Sequence, residues 1–329
     1  MTNRTMLTRR TFLSTSVAAL GAAASLPRSI AEASGSPDGA ASGTPRFGVG
    51  YQIFGWSRYF PSAWWQGARA VAALGYRAIE GEYTIAELYQ GREGEFDRRM
   101  AACGVRVNAF YSTTDLDRRH EHAENVRKNL HTAAFAARAG AGVIVLGGTE
   151  ATSRTADDFV SFARAANEIG QRTLEMHGVR CGYHPHLGAL VEKREDIARV
   201  MDATDPRYFF LAPDTGHLAA AGCDVGEVFQ TYRERVIHAH LKDYRPAVTP
   251  GARGSFLPLG EGVVDFLRLR EVLVSNGFDG WVNVELDGGR GMDPADVATR
   301  AREYVTKTLG LSLTRPADGS SGAAGQEQA

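Results

Sequence analysis

The sequence predicts an α/β protein built as a closed (β/α)8 barrel, and three observations lead there. Short apolar runs alternate with amphipathic helical stretches almost without interruption from residue 47 to residue 309, which is the pattern of a parallel sheet. Eight such units fit into roughly 270 residues, the usual extent of a closed barrel. Four of the later runs end in residues with metal-ligand chemistry: Tyr183-His184-Pro185-His186, Asp214-Thr215-Gly216-His217, His238-Ala239-His240-Leu241-Lys242-Asp243 and Val284-Glu285. A parallel barrel gathers its strand ends on one face, so residues roughly 25 to 50 apart in sequence can meet around one divalent metal.

Residues 1–33 read as an export segment rather than as structure. Thr8-Arg9-Arg10-Thr11-Phe12-Leu13 resembles a twin-arginine (Tat) signal, an apolar run over 17–26 follows, and Ala31-Glu32-Ala33 offers a small-x-small cleavage site. The run is too short for a bilayer anchor, and no cysteine stands near the cleavage site to carry a lipid. The expected location is the periplasm or the cell exterior, reached in the folded state, with no membrane anchor. Residues 34–45 read as a flexible linker and 46–312 as the barrel. Residues 313–329, rich in Gly, Ser, Ala and Gln, read as a disordered tail.

Within the barrel, strands are predicted at 47–52, 78–82, 105–111, 142–146, 180–184, 208–213, 236–240 and 281–286, each a short apolar run bounded by turn residues. Helices are predicted between them, among others at 63–74, 121–139, 156–176, 194–201 and 266–275. Gly75, Gly104, Gly140, Gly178 and Gly277 stand where a left-handed residue would end a helix. An open doubly wound sheet would carry a glycine-rich phosphate turn after its first strand. Gly48-Val49-Gly50 instead lies inside the strand and lacks the third glycine. Residues 245–262, with Pro246, Pro250, Gly251, Gly254, Pro258, Gly260 and Gly262, form the one long irregular connection. It follows the seventh strand on the ligand-bearing face, as an active-site lid would.

Composition narrows the partners. The 329 residues are 43% apolar with a formal charge of -1, which gives no electrostatic reason to expect nucleic acid. A small sugar or polyol is the expected partner, and self-assembly into a homo-oligomer is compatible with the sequence. Cys103, Cys181 and Cys223 contain no CxxC pair, and Cys181 lies in a predicted strand as a small apolar filler.

The ligand-type residues carry the chemistry. Asp214 ends an apolar run, where a carboxylate is costly unless paired, hydrogen-bonded or metal-bound; it also suits a helix N-cap. His238 and His240 are two apart on a strand and share a face, as do His184 and His186. Asn283 and Glu285 likewise share a face, whichever way it points. A set of His, Asp, His and Glu suits Mn, Mg, Co, Fe or Zn better than a soft thiolate-binding metal. Such a metal can polarise a sugar carbonyl and stabilise the enediolate formed on loss of the neighbouring proton. Lys242, Arg245 and Glu80 are candidate partners for substrate oxygens.

These segments, together with Thr204-Asp205-Pro206, Gly254-Ser255-Phe256-Leu257, Gly260-Glu261-Gly262-Val263-Val264-Asp265-Phe266 and Gly280-Trp281-Val282-Asn283-Val284-Glu285, resemble the xylose isomerase-like TIM barrel superfamily of sugar phosphate isomerases, epimerases and related lyases. Within it the resemblance is closest to inosose dehydratases. It implies Asp214, His240 and Glu285 as metal ligands with a fourth from the fifth strand, where sugar epimerases offer a glutamate and this chain offers His184. That departure favours a dehydratase-like lyase on a keto-polyol or keto-sugar. A ketose isomerase or epimerase is the alternative, and a non-catalytic secreted sugar-binding barrel a remoter one. The resemblance leaves Glu285, His184, His217 and Lys242 as candidates for proton transfer. Glu80, lining the opposite wall, His186, His238 and Arg245 are candidate substrate contacts. Inositol breakdown is expected in the cytoplasm, so the export segment argues for an oxidised sugar or 3-keto-glycoside as readily as for inosose.

Overall fold

The apolar runs fold as strands because each is β-rich, short and closed off by turn residues, and eight of them are covered by helices on the outside. The computed structural model describes residues 44–59, 62–249, 252–286 and 291–315. The residues read as an export segment, nearly all of those read as a linker, and residues 316–329 lie outside the described residues. The strands are β1 (Gly48–Gln52), β2 (Ala78–Glu82), β3 (Arg106–Thr113), β4 (Val143–Gly147), β5 (Arg180–His184), β6 (Phe209–Leu211), β7 (His238–Leu241), a short pair β8 (Asp243–Arg245) and β9 (Ser255–Leu257), and β10 (Trp281–Val284). The predicted strands at 78–82 and 180–184 match β2 and β5 residue for residue, and the other six overlap their observed counterparts. Among the described residues, no helix is long and apolar enough to cross a membrane.

Eight strands form one parallel sheet in the order β6-β5-β4-β3-β2-β1-β10-β7. Parallel bridges Leu211↔Val236 and Asp214↔His240 join β6 to β7 and close the ring. The main core lies between sheet and helices. Helix Ala156–His177 shows the logic: a Thr155/Asp158 capping box starts it, Gly178 in the left-handed conformation ends it, and Phe159, Phe162, Ala166 and Ile169 face inward. Phe162 meets Tyr183 of β5 with ring centroids 4.8 Å apart. Gly75, Gly104, Gly140, Gly178 and Gly277 all have positive φ, as expected of helix ends. Cys181 is fully buried.

Two features depart from the sequence expectation. The 245–262 connection is not wholly irregular, because β8 and β9 pair antiparallel within it. Strands of three residues are too short to show a period against the surrounding Gly and Pro. The packed chain also runs past residue 312: Leu313 belongs to the core and Arg315 pairs with Asp279. Isolated apolar residues in a polar stretch give no periodic signal, so their docking site is visible only in three dimensions.

Candidate metal centre

Four strand ends deliver four ligand-type side chains to one point. His184 is the last residue of β5, and His240 lies within β7. Asp214 follows β6 and bridges His240 across the barrel seam. Glu285 extends β10 by one residue, its N–H donating to Leu241 O at 3.0 Å. The candidate ligand atoms of His184, Asp214, His240 and Glu285 lie within 4.8 Å of one another, and all four residues are buried. Asp214 serves both roles considered for it. Its Oδ1 accepts from His217 N at 2.8 Å as the N-cap of helix Thr215–Ala220, leaving Oδ2 to the cluster.

The cluster fits a cation on its own geometry. Among the described residues, His184 Nδ1, Asp214 Oδ2, His240 Nδ1 and Glu285 Oε2 are buried without a hydrogen bond. Lys242 Nζ supplies ion pairs to Asp214 and Glu285, which leaves the two ring nitrogens the costlier to bury. His240 Nε2 is 2.8 Å from Glu80 Oε2, which places the proton of a neutral ring on Nε2. Its Nδ1 then turns a lone pair toward Glu285 Oε2, only 2.6 Å away and not aligned for hydrogen bonding. Two acceptors that close need a proton or a metal between them. The oxygen and imidazole donors suit Mn, Mg, Co, Fe or Zn.

Beneath the cluster, Glu80 holds His240 in place. Glu80 is fully buried and gathers Gln52 Nε2 (3.2 Å), His238 Nε2 (2.9 Å), His240 Nε2 and Asn283 Nδ2 (2.7 Å). Asn283 also exchanges two hydrogen bonds with Asn108, at 2.7 and 3.1 Å. Asn108 reaches this layer through a register shift between Ile79 and Glu80, a bulge that re-aims it. Gly50 leaves room, since a Cβ there would lie 2.3 Å from Asn283 Oδ1. Glu80 and His238, expected as substrate contacts, are therefore sealed below the ligand cluster and act on it from behind. Strand alternation did put them on the inner face; depth along the barrel axis is not written in that alternation.

Above the cluster, the residues after β7 form a wall. Lys242 is fully buried, with Nζ 3.2 Å from Asp214 Oδ2, 3.3 Å from Glu285 Oε2 and 3.3 Å from His217 Nε2. Its stem passes over Gly216, where a Cβ would come within 2.9 Å of Cγ. His217 is stacked on His186 (centroids 3.9 Å) and capped by Phe256 of β9 (4.7 Å). Asp243 accepts from the backbone N–H groups of Gly260, Gly262, Val264 and Tyr244, and so pins the loop behind that phenylalanine. Arg245 is not brought to the cluster: it is exposed and donates to Glu261 O at 2.6 Å. The β8–β9 pairing turns it away, a contact that loop composition did not reveal. Tyr111, packed against His184 and His240 at 5.5 and 6.2 Å, also lines the site. Glu82, at the end of β2, is the register partner of Tyr111; neither stood out in the sequence, where only β-strand alternation could have pointed to them.

Residues 68–308 match the family described as xylose isomerase-like TIM barrel. The chain belongs to that family. Its sequence is 35% identical over 158 residues to an inosose dehydratase of Geobacillus thermodenitrificans, a match covering 44% of this chain and 53% of that protein. The chain thus spans about half the length of the curated relatives it matches. Among solved structures, it superposes on the Bacillus anthracis protein described as the probable 3-DHS dehydratase AsbF with a TM-score of 0.67 and 15% identity, covering 79% of this chain and 99% of that one. A xylose isomerase-like TIM barrel protein from Mycobacterium smegmatis in complex with magnesium gives a TM-score of 0.66 at 20% identity, covering 82% and 98%. At such identities these likenesses bear on the fold alone.

The electrostatics of this xylose isomerase-like barrel follow from burial and close pairing. Burial resists the charge on Glu80, but His240 and His238 outweigh it and hold the carboxyl far below its usual range. Burial likewise opposes a charged His240, yet Glu80 and Glu285 together raise it well above the ordinary value of 6.5. Without a cation, the space between Nδ1 and Glu285 Oε2 therefore holds a proton, and the neutral ring is the form that would meet a metal. His184 and His217 are held neutral by burial first, then by nearby positive groups. Burial pushes Asp214 up to about 6 against the pull of Lys242. Glu285, despite burial, is held low by Lys242 and His240.

Proposed function

We propose that this protein is a divalent-metal-dependent lyase of the dehydratase type, acting on a keto-polyol or keto-sugar by abstraction of the proton next to the carbonyl. The observation that carries this reading is the convergence of four buried ligand atoms, within 4.8 Å of one another, beside a buried lysine–histidine pair. The partial likeness to inosose dehydratases supports the same reaction class. His184, Asp214, His240 and Glu285 would hold the cation. When bound, it would supply Lewis-acid polarisation of a substrate carbonyl and a positive charge beside Lys242 Nζ that favours the neutral, proton-accepting amine.

The chain's own residues divide the remaining work. Leu187 N–H donates to His217 Nδ1 at 3.2 Å, so a neutral ring carries its proton on Nε2, facing Lys242 Nζ at 3.3 Å. An ammonium at Nζ and a proton at Nε2 compete for that contact. The pair therefore gains or loses one proton with little rearrangement, as general acid–base work requires. Lys242 and His217 are the proposed proton carriers, with His186 stacked behind. Phe256 covers the pair and limits water entry.

His184 stands where an epimerase would place a second carboxylate, which disfavours two-carboxylate epimerisation. The test is an assay of purified, metal-replete protein against inosose, 3-keto-glucosides and common ketoses, with product mass and solvent-deuterium uptake as readouts. Metal-dependent loss of water, or release of a glycosidic group, supports the lyase. Mass-neutral conversion with deuterium uptake would make it an isomerase or epimerase. No turnover, with sugar still bound after metal removal, would make it a binding protein. The twin-arginine-like segment is the ground for proposing that the enzyme works in the periplasm or outside the cell.

A further inference from the structure

Glu82 ends β2 at the mouth of the barrel. It lies two residues beyond Glu80, whose carboxyl reaches His240 inside the barrel, so alternation turns Glu82 to the same inner face one step nearer the mouth. Its register partner is Tyr111, whose ring packs against His184 and His240. Paired residues on neighbouring strands point the same way, which places Glu82 beside that ring. Glu82 is half-buried, and its Oε1 is shielded from solvent with no hydrogen-bond partner among the described residues. A buried carboxyl oxygen left unpartnered at a site mouth calls for an explanation, and nothing in the ligand cluster or the Glu80 network uses it.

We propose that Glu82 is a substrate-contacting residue that binds a hydroxyl of an uncharged polyol or keto-sugar and excludes phosphorylated or carboxylated analogues. This deepens the lyase reading and rests on it. Asp214 and Glu285 are already paired with Lys242 Nζ, at 3.2 and 3.3 Å, so the like charge that a ligand phosphate would meet at this edge is that of Glu82. A hydroxyl both donates and accepts, and so does a carboxyl near half-protonation. Burial first, then Glu285 and Glu80, push Glu82 up to about 7, which agrees with that pairing.

The experiment compares wild type, Glu82→Ala and Glu82→Gln as metal-loaded, full-length protein. The readouts are Zn2+ affinity, melting temperature, and kcat and KM on whichever of inosose or a 3-keto-glucoside the wild type turns over. A phosphorylated ketose serves as competing inhibitor. Glu82→Ala should raise KM about tenfold or more, leave Zn2+ affinity within about twofold, and let the phosphorylated ketose inhibit more strongly. Glu82→Gln, which can still donate and accept, should recover much of the KM and melt about 2 °C higher or more. An unchanged KM in Glu82→Ala, with active wild type, overturns the role of Glu82 alone. A parallel fall in Zn2+ affinity overturns it as well, by making Glu82 part of the cation site. An inert wild type instead removes the lyase reading on which the role rests.

Discussion

His240 is the residue on which the site turns, because its two ring nitrogens face two different layers: Nε2 to Glu80 below, Nδ1 to the ligand cluster above. Replacing it with Asn, or Glu285 with Gln, should weaken Zn2+ binding about 100-fold or more, measured by competition with a chromophoric chelator. Glu80→Ala leaves His238, His240 and Asn283 facing an empty buried space. The expected loss is about 3–5 kcal/mol of stability in urea denaturation of the metal-free protein. A loss below about 1 kcal/mol would show that the network is dispensable. The histidines also set a pH response. His184, His217 and His238 are all lowered from 6.5, chiefly by burial. The unfolded chain therefore binds more protons than the folded one once pH drops through about 6.5, and stability falls. His240, being raised, contributes fully below that point and does not offset the slope. Asp214, pushed up to about 6, and Glu82, up to about 7, take up protons in the folded state and offset part of it; three histidines against two carboxyls leave a net fall. The melting temperature of EDTA-treated protein should accordingly drop between about pH 6.5 and pH 5; a flat profile would contradict the neutral buried histidines.

At the scale of elements, the strand ends were legible and the connections were not. Apolar runs closing on His184, Asp214, His240 and Glu285 announced a C-terminal barrel face, because a parallel sheet buries both sides of each strand and leaves chemistry to its end. The β8–β9 pair was hidden by its length, and with it the covering role of Phe256 and the outward path of Arg245. Asp243 organises this region through four backbone N–H groups. Asp243→Ala should lower hydrogen-exchange protection of the Gly260, Gly262 and Val264 amides about tenfold or more. Unchanged protection would mean that the loop holds itself. Helices Tyr83–Leu88 and Thr215–Ala220 have under two turns, too little for a 3.6-residue period to show.

For the molecule as a whole, eight βα units and one ligand-bearing face specify a barrel, and the parallel bridges from β6 to β7 complete it. The export proposal belongs to this scale. A reporter fused to residues 1–40 should leave the cytoplasm, and Arg9→Lys with Arg10→Lys should retain it there; export that ignores both substitutions would rule out the twin-arginine route.

By itself, the sequence determined the architecture and which strand ends carry ligand-type residues, since strand alternation and element order are local patterns that a chain carries wherever it folds. The choice of His184, Asp214, His240 and Glu285 among them came from the family resemblance. Only the tertiary structure decided depth and pairing. It sank Glu80 and His238 beneath the candidate metal centre, brought Lys242 onto His217 and set Glu82 at the mouth beside Tyr111. Those relations depend on barrel shear, on a bulge at Ile79/Glu80 and on loop packing, which act between segments far apart in sequence and leave no period within any one of them.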